Sequence, residues 1–240
     1  MVSIHAEGLD HRALNEALRR ESGGCRVEGC CGQRFIAAGM SGMQIEIHGV
    51  PGNALGAYLN GGIVTVMGNA QDAVGDTMNE GRIVIHGNIG DAAGYAMRGG
   101  QIFVKGNAGY RAGIHMKAYQ EKIPVMVIGG KAGSFLGEYQ AGGIIVVLDL
   151  LEQDGDIVGY FPCTGMHGGR MFLRSECRGI VFPEQVSVRP AGPEDLREIR
   201  QCVTDFCGLF GYDAEKVLDA PFTVVTPDSN NPYRQMYVPN

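Results

Sequence analysis

The stretch that decides the fold runs Gly68-Asn69-Ala70-Gln71-Asp72-Ala73-Val74-Gly75-Asp76-Thr77-Met78-Asn79-Glu80-Gly81-Arg82-Ile83-Val84-Ile85-His86-Gly87-Asn88. It opens and closes on the same Gly-Asn pair, which returns at Gly106-Asn107, so the unit is 19 residues long. Gly49 begins the series one step earlier. Gly129 follows Gly106 after 23 residues, and Leu148 fills the slot after a further 19. The triplets before these positions are Ile45-Glu46-Ile47, Val64-Thr65-Val66, Ile83-Val84-Ile85, Ile102-Phe103-Val104, Val125-Met126-Val127 and Ile144-Ile145-Val146. Their first and third residues are aliphatic and mostly β-branched, and period-two alternation puts both on one face of a short strand.

A second half-repeat follows each triplet, at Leu55-Gly56, Val74-Gly75, Ala93-Gly94 and Ala112-Gly113, with Leu59, Met78, Met97 and Met116 three residues past each glycine. Glycine turns at Gly61-Gly62, Gly81, Gly99-Gly100 and Gly142-Gly143 then return the chain. Strand, corner, strand, corner is one coil of a β-helix. So short a unit cannot close its own core and must stack on its neighbours. A helical solenoid is excluded, because glycine recurs inside every unit at about 1 kcal/mol each. The fold class is all-β, a right-handed parallel β-helix of about seven coils.

The array extends both ways. Met166-His167-Gly168-Gly169-Arg170-Met171-Phe172-Leu173 copies Met97 to Val104 and reads as a seventh rung, reached through an acidic insertion around Leu150–Gly159. A degenerate first rung covers Cys25–Met43. Flanking it, Asp10–Glu21 reads as a helix with a capping Asp and Leu14 and Leu18 on one face. Pro193–Phe210 starts with proline and acids and carries an apolar stripe from Leu196 to Phe210, with a second short helix at Asp213–Asp219. The expected boundaries are 1–24 for an N-terminal helical segment, 25–190 for the β-helix and 191–240 for a helical cap with an extended tail.

The net charge of −6, without a basic stripe, argues against nucleic acid and anionic membrane surfaces. The sequence has neither an 18-residue apolar run nor a signal-peptide core, which predicts a cytoplasmic protein. Seven cysteines at spacings unlike zinc or iron–sulfur sites read as reduced, mostly buried thiols, and Cys30-Cys31 is the one place to look for redox chemistry. Asn69, Asn88 and Asn107 stack as an asparagine ladder tolerating left-handed backbone. Asp72 and Asp91 stack beside it without a calcium-binding nonapeptide pattern. Nothing resembles a Ser-His-Asp arrangement, a nucleotide loop or a carboxylate pair, so no catalytic, cofactor or metal residue is assigned.

Partner contacts are the remaining chemistry. His115, Lys117 and Tyr119 lie at the insertion Lys117–Lys122 that lengthens one coil, and loops projecting from a solenoid often carry contacts. The outward triplet centres run Glu46, Thr65, Val84, Phe103, Met126, Ile145. The last two rungs are apolar on both faces and therefore covered, by the C-terminal helix or a partner. The tail retains Tyr233, Met236 and Tyr237, which want a surface. The candidate interface is His115, Lys117, Tyr119, Met126, Ile145, Tyr233 and Tyr237.

The unit Gly-Asn-Ala-x-x-x-x-Gly-x-x-Met-x-x-Gly-x-Ile-x-Val-x-Gly, over about residues 25–175, resembles the Gly-x-Gly-x-Gly β-helix domain at the C-terminus of the glutamate synthase large subunit. The flanking helices resemble its stand-alone version. One of the subunits of formylmethanofuran dehydrogenase and one of those of N-methylglutamate synthase share the repeat. The resemblance implies a non-catalytic role in nitrogen metabolism. A separate amidotransferase releases ammonia from glutamine with an N-terminal cysteine, an FMN barrel with an iron–sulfur cluster reduces 2-iminoglutarate, and the β-helix holds the two together. This chain starts Met1-Val2 and lacks FMN-barrel motifs, so it is expected to bind no cofactor itself, with FMN and iron–sulfur on partner subunits. The alternatives are a subunit of one of the two related enzymes, or an independent β-helix enzyme or small-molecule binding module. Self-association is a further possibility.

Overall fold

The computed structural model describes residues 1–21 and 23–230. Eight parallel strands stack one per coil: β2 (Gly24–Cys31), β3 (Gln44–Val50), β4 (Asn60–Val66), β5 (Glu80–Ile85), β6 (Gln101–Val104), β7 (Val125–Ile128), β8 (Ala141–Val147) and β9 (Gly168–Leu173). Before them β1 (Val2–His5) pairs in parallel with β2. After them come β10 (Val186–Pro190) and β11 (Thr223–Pro227), both antiparallel, giving an 11-stranded sheet that ends β9-β11-β10. The result is a β-solenoid of about seven turns. The N-terminal segment is thus more than helical, since β1 supplies a strand of its own.

The aliphatic residues flanking each triplet centre point inward. Ile45, Ile47, Val64, Val66, Ile83, Ile85, Ile102 and Val104 share one continuous buried core with the Met78, Met97 and Met116 column. Burying each such side chain is worth roughly 2 kcal/mol. The returning turns let coils approach closely. At Gly62 φ is +88°, and a Cβ would stand 2.3 Å from the Met43 carbonyl oxygen.

Register in the long coil departs from the repeat read off the glycines. Ile102 pairs with Met126 and Phe103 with Val127, then Met126 with Ile145 and Val127 with Val146. The coil is one residue longer than the sequence reading, because Gly130, not Gly129, takes the slot of Gly106, donating to its carbonyl at 2.9 Å. A one-residue slip exchanges the faces of a strand. Met126 and Ile145 therefore face inward, fully buried in the solenoid core, and the outward centres are Val127 and Val146.

The asparagine ladder forms, by another mechanism than left-handed backbone. The Asn88 N–H donates to Asn69 Oδ1 at 2.8 Å, the Asn107 N–H to Asn88 Oδ1 at 2.7 Å, and the Lys131 N–H to Asn107 Oδ1 at 2.8 Å. Each amide satisfies a donor on the next coil, and none of the three has positive φ. The second half of each coil is likewise not a strand. It makes isolated parallel bridges at Ala70, Ile89, Ala108, Ala132 and Val158, then a turn of alternating left-handed residues.

Helix α1 (His11–Arg20) starts at Asp10, whose carboxylate accepts the Arg12 and Ala13 N–H groups, and buries Leu14 and Leu18 over the first coil. Asn15, buried, accepts the Ala37 N–H at 3.0 Å and donates to the Phe35 carbonyl. At the far end α2 (Pro193–Phe210) and α3 (Ala214–Leu218) lie on the outer sheet face. A second core joins Phe103, Val127, Val146 and Phe172 to Ile199, Val203 and Phe206. The covered face is thus covered by the chain's own C-terminal helix.

Candidate functional site

The exterior feature that the repeat does not require lies on the left-handed turn. One column of positive-φ residues runs Phe35, Ala54, Ala73, Ala92, Arg111, Phe135, Phe161. A second runs Tyr58, Thr77, Ala96, His115, Tyr139. Backbone hydrogen bonds from coil to coil hold them there: the Ala92 N–H donates to the Tyr110 carbonyl, Arg111 to Ser134 and Phe135 to Tyr160. A left-handed non-glycine residue costs on the order of 1 kcal/mol. Alanine fills the first column through the early coils, so the fold asks for no large side chain.

The later coils nevertheless carry large ones. Phe135 and Phe161 lie 5.3 Å apart, and the Arg111 guanidinium sits 4.9 Å over the Phe135 ring while its Nε donates to Glu138 at 3.0 Å. In the second column His115 stacks on Tyr139 at 5.3 Å and meets the edge of Tyr95 at 5.8 Å. Tyr110, Tyr160 and Phe161 are 55, 79 and 62% exposed. Large apolar groups left in water in one contiguous strip mark an interaction surface. Beside the strip a cleft of about 690 Å³ opens between the acidic insertion and the last coil, lined by Asn107, Gln153, Asp156, Tyr160, Phe161 and Val181 among others.

The sequence-derived candidates divide accordingly. His115 belongs to this strip, and Lys117 and Tyr119 are exposed beside it. The insertion folds into a tight hairpin closed between Tyr119 and Lys122, and Lys122 Nζ reaches back to Glu80 at 2.8 Å. Met126 and Ile145 leave the interface, because both point into the core; a Cβ on Gly113 would stand 2.4 Å from Ile145 Cδ1. Tyr233, Met236 and Tyr237 lie outside the described residues. Sequence reading missed Arg111, Phe135, Tyr139, Tyr160 and Phe161. The available signal was an arginine and two phenylalanines where the repeat elsewhere has alanine.

No nucleophile stands out. All seven cysteines are free, and six are buried. Burial pushes the Cys30 thiol up to about 11 and the Cys202 thiol up to about 12, and raises Cys163 further. These are protonated, unreactive thiols at neutral pH. Asp72 and Asp91 spend a carboxylate oxygen each on the backbone N–H of Asp91 and Tyr110. No group of three or more His, Cys, Asp or Glu side chains converges for a metal among the described residues. His48 bonds to Glu46 at 2.6 Å, while His86 packs on Phe210, and burial there lowers its pKa. No helix among the described residues is long and apolar enough to cross a membrane.

Fold and surface together define a β-solenoid capped at both ends, with a strip built for contact and not for chemistry. The chain belongs to the GXGXG motif family, whose profile matches residues 13–228. It is 40% identical over its whole length to "Uncharacterized protein MJ1350" of Methanocaldococcus jannaschii, 97% of which is covered. Its fold is similar to a chain in the crystal structure of the formyltransferase/hydrolase complex FhcABCD of Methylorubrum extorquens, solved with methylofuran. The TM-score is 0.65 at 19% identity, over 95% of this chain and 91% of that one.

Proposed function

We propose that this chain is a non-catalytic, cytoplasmic structural subunit of a glutamate-synthase-type assembly. In this reading it holds a glutamine amidotransferase subunit against an FMN and iron–sulfur synthase subunit, which together make glutamate from glutamine and 2-oxoglutarate. The observation that carries the docking role is the strip from Arg111 to Phe161. Its side chains are held in strained backbone and left exposed, where alanine serves the fold equally well. Strain and exposure together disfavour such residues in an isolated subunit, and burial against a partner offsets both. Membership of the GXGXG family supports the choice of assembly.

A second reading draws on the fold likeness to a chain of a formyltransferase/hydrolase complex. In that reading the chain serves a one-carbon assembly of the formylmethanofuran dehydrogenase kind, again as a solenoid subunit. Gentle purification of the tagged chain from its own cells separates the two. Flavin and iron–sulfur absorbance arriving with an amidotransferase and a synthase is the expected result. Co-elution with formyltransferase subunits supports the second reading. A colourless, solitary protein overturns both.

A further inference from the structure

The later coils hold guanidinium groups by one recurring device, an aromatic face combined with a carboxylate. Arg111 lies over Phe135 with Glu138 on its Nε. Arg82 lies 5.1 Å over Phe103, and its Nη2 meets Asp205 at 2.9 Å. Planar guanidinium favours this arrangement because it can stack on a ring while its edge donates to an acid.

The last ring of the same column repeats the device without an arginine of this chain over it among the described residues. Phe161 and Tyr160 supply the exposed aromatic faces, and Asp156 supplies a carboxylate on the same cleft. Asp156 has neither an ion pair nor a hydrogen bond within the described residues. The amides of Asn107 and Gln153, bonded to each other at 2.9 Å, complete the polar wall. The cleft's own lysine does not neutralise it, because Lys131 Nζ is engaged by the Gly155 carbonyl and by Asp149 at 3.6 Å. Beside it the insertion presents Glu152 and Asp154, both exposed. The surface offered to a visitor is aromatic and acidic.

We infer that the cleft between the acidic insertion and Tyr160–Phe161 is a docking site for an arginine side chain on an extended segment of a partner protein. The inference rests on the docking-subunit reading only for the origin of that arginine. Charge complementarity selects a cation, and the aromatic faces select guanidinium over ammonium, whose tightly held water opposes stacking.

The test uses the full chain and an acetylated, amidated Gly-Arg-Gly peptide, with the same peptide carrying citrulline in place of arginine. Binding is followed by calorimetry and by amide NMR shifts at low salt. Saturable binding of the arginine peptide is expected, weaker by about 10-fold or more for citrulline, which keeps the shape and loses the charge. Phe161→Ala and Asp156→Asn should each weaken binding by about 10-fold while leaving the far-UV spectrum and melting temperature unchanged, since both side chains are exposed. Absent saturable binding, equal affinity for the two peptides, or indifference to both substitutions overturns the site. A rise in affinity on removing residues 231–240 also overturns the partner assignment, because Arg234 of this chain would then be the occupant. Co-purification from cells is a separate readout, so failure here and failure of the docking-subunit reading are distinguishable.

Discussion

The early and late coils share one backbone and differ on both outer faces. On the left-handed turn, Ala54, Ala73 and Ala92 give way to Arg111, Phe135 and Phe161. On the outer sheet face, Glu46 and Thr65 give way to Phe103, Val127, Val146 and Phe172. The two changes have different causes. The sheet face turns apolar because α2 lies on it, so those residues report on folding. The turn becomes aromatic with nothing of the described chain covering it, so those residues report on something outside the fold. In a repeat protein the same slot recurs under the same backbone constraint, and a departure from the usual residue isolates what that constraint does not explain.

The largest test of this contrast moves a charge across it. Met126→Glu or Ile145→Glu should leave the chain unfolded or insoluble, because an acid without a partner in the solenoid core costs several kcal/mol. Phe161→Glu, in the exposed column, should fold normally. Circular dichroism on the three variants decides. If the two core variants melt like the parent chain, the inward register is wrong.

The covered sheet face comes next. Phe206 is fully buried, packs edge-on to Phe103 at 6.3 Å and lies against Gly129. Phe206→Ala should cost about 3–5 kcal/mol in urea unfolding, and a loss under about 1 kcal/mol would mean that α2 is held by its ends. Asn88→Ala should cost about 1 kcal/mol, the worth of one rung-to-rung hydrogen bond. No change would leave the ladder without a stabilising role.

Acid probes the anchoring of α2. Arg189 holds the Asp195 carboxyl down to about 2 from an ordinary 3.8, with help from the Gly192 N–H and Arg170. A carboxylate with a depressed folded-state pKa contributes stability that is fully present above its unfolded value. That contribution is lost as the pH falls through the folded value. The stability difference between the parent chain and Asp195→Asn should therefore be flat above about pH 5 and shrink between about pH 4 and 2. A difference independent of pH removes the ion pair from the account.

The smallest effect on stability is expected on the strip. Phe161→Gly relieves the left-handed strain and loses one exposed ring contact, so unfolding should shift by no more than about 0.5 kcal/mol. Assembly with partners should suffer far more. A large loss of stability with intact assembly would make the strip a structural element.

Much of this was legible beforehand. The 19-residue spacing, the inward aliphatic pairs, the asparagine stack and the limits of α1, α2 and α3 all depend on local chemistry that recurs along the chain. The place of Met126 and Ile145 was not legible. Gly129 and Gly130 fit the repeat equally well by residue type, and only the pairing of Ile102 with Met126 chose between them. The aromatic strip was half visible, with His115 found for its neighbouring loop and Phe135 and Phe161 overlooked. Their separation along the chain conceals a neighbourhood that exists only once an unequal pair of coils is stacked.

The amino-acid sequence by itself therefore determined that this protein is a stacked solenoid, because a unit with so few apolar residues has no other way to bury them. The tertiary structure alone decided which way each late strand faces, that β11 closes the end antiparallel, and which side chains meet at the cleft. Those outcomes depend on register and on contacts between residues far apart in the chain, which no local pattern encodes.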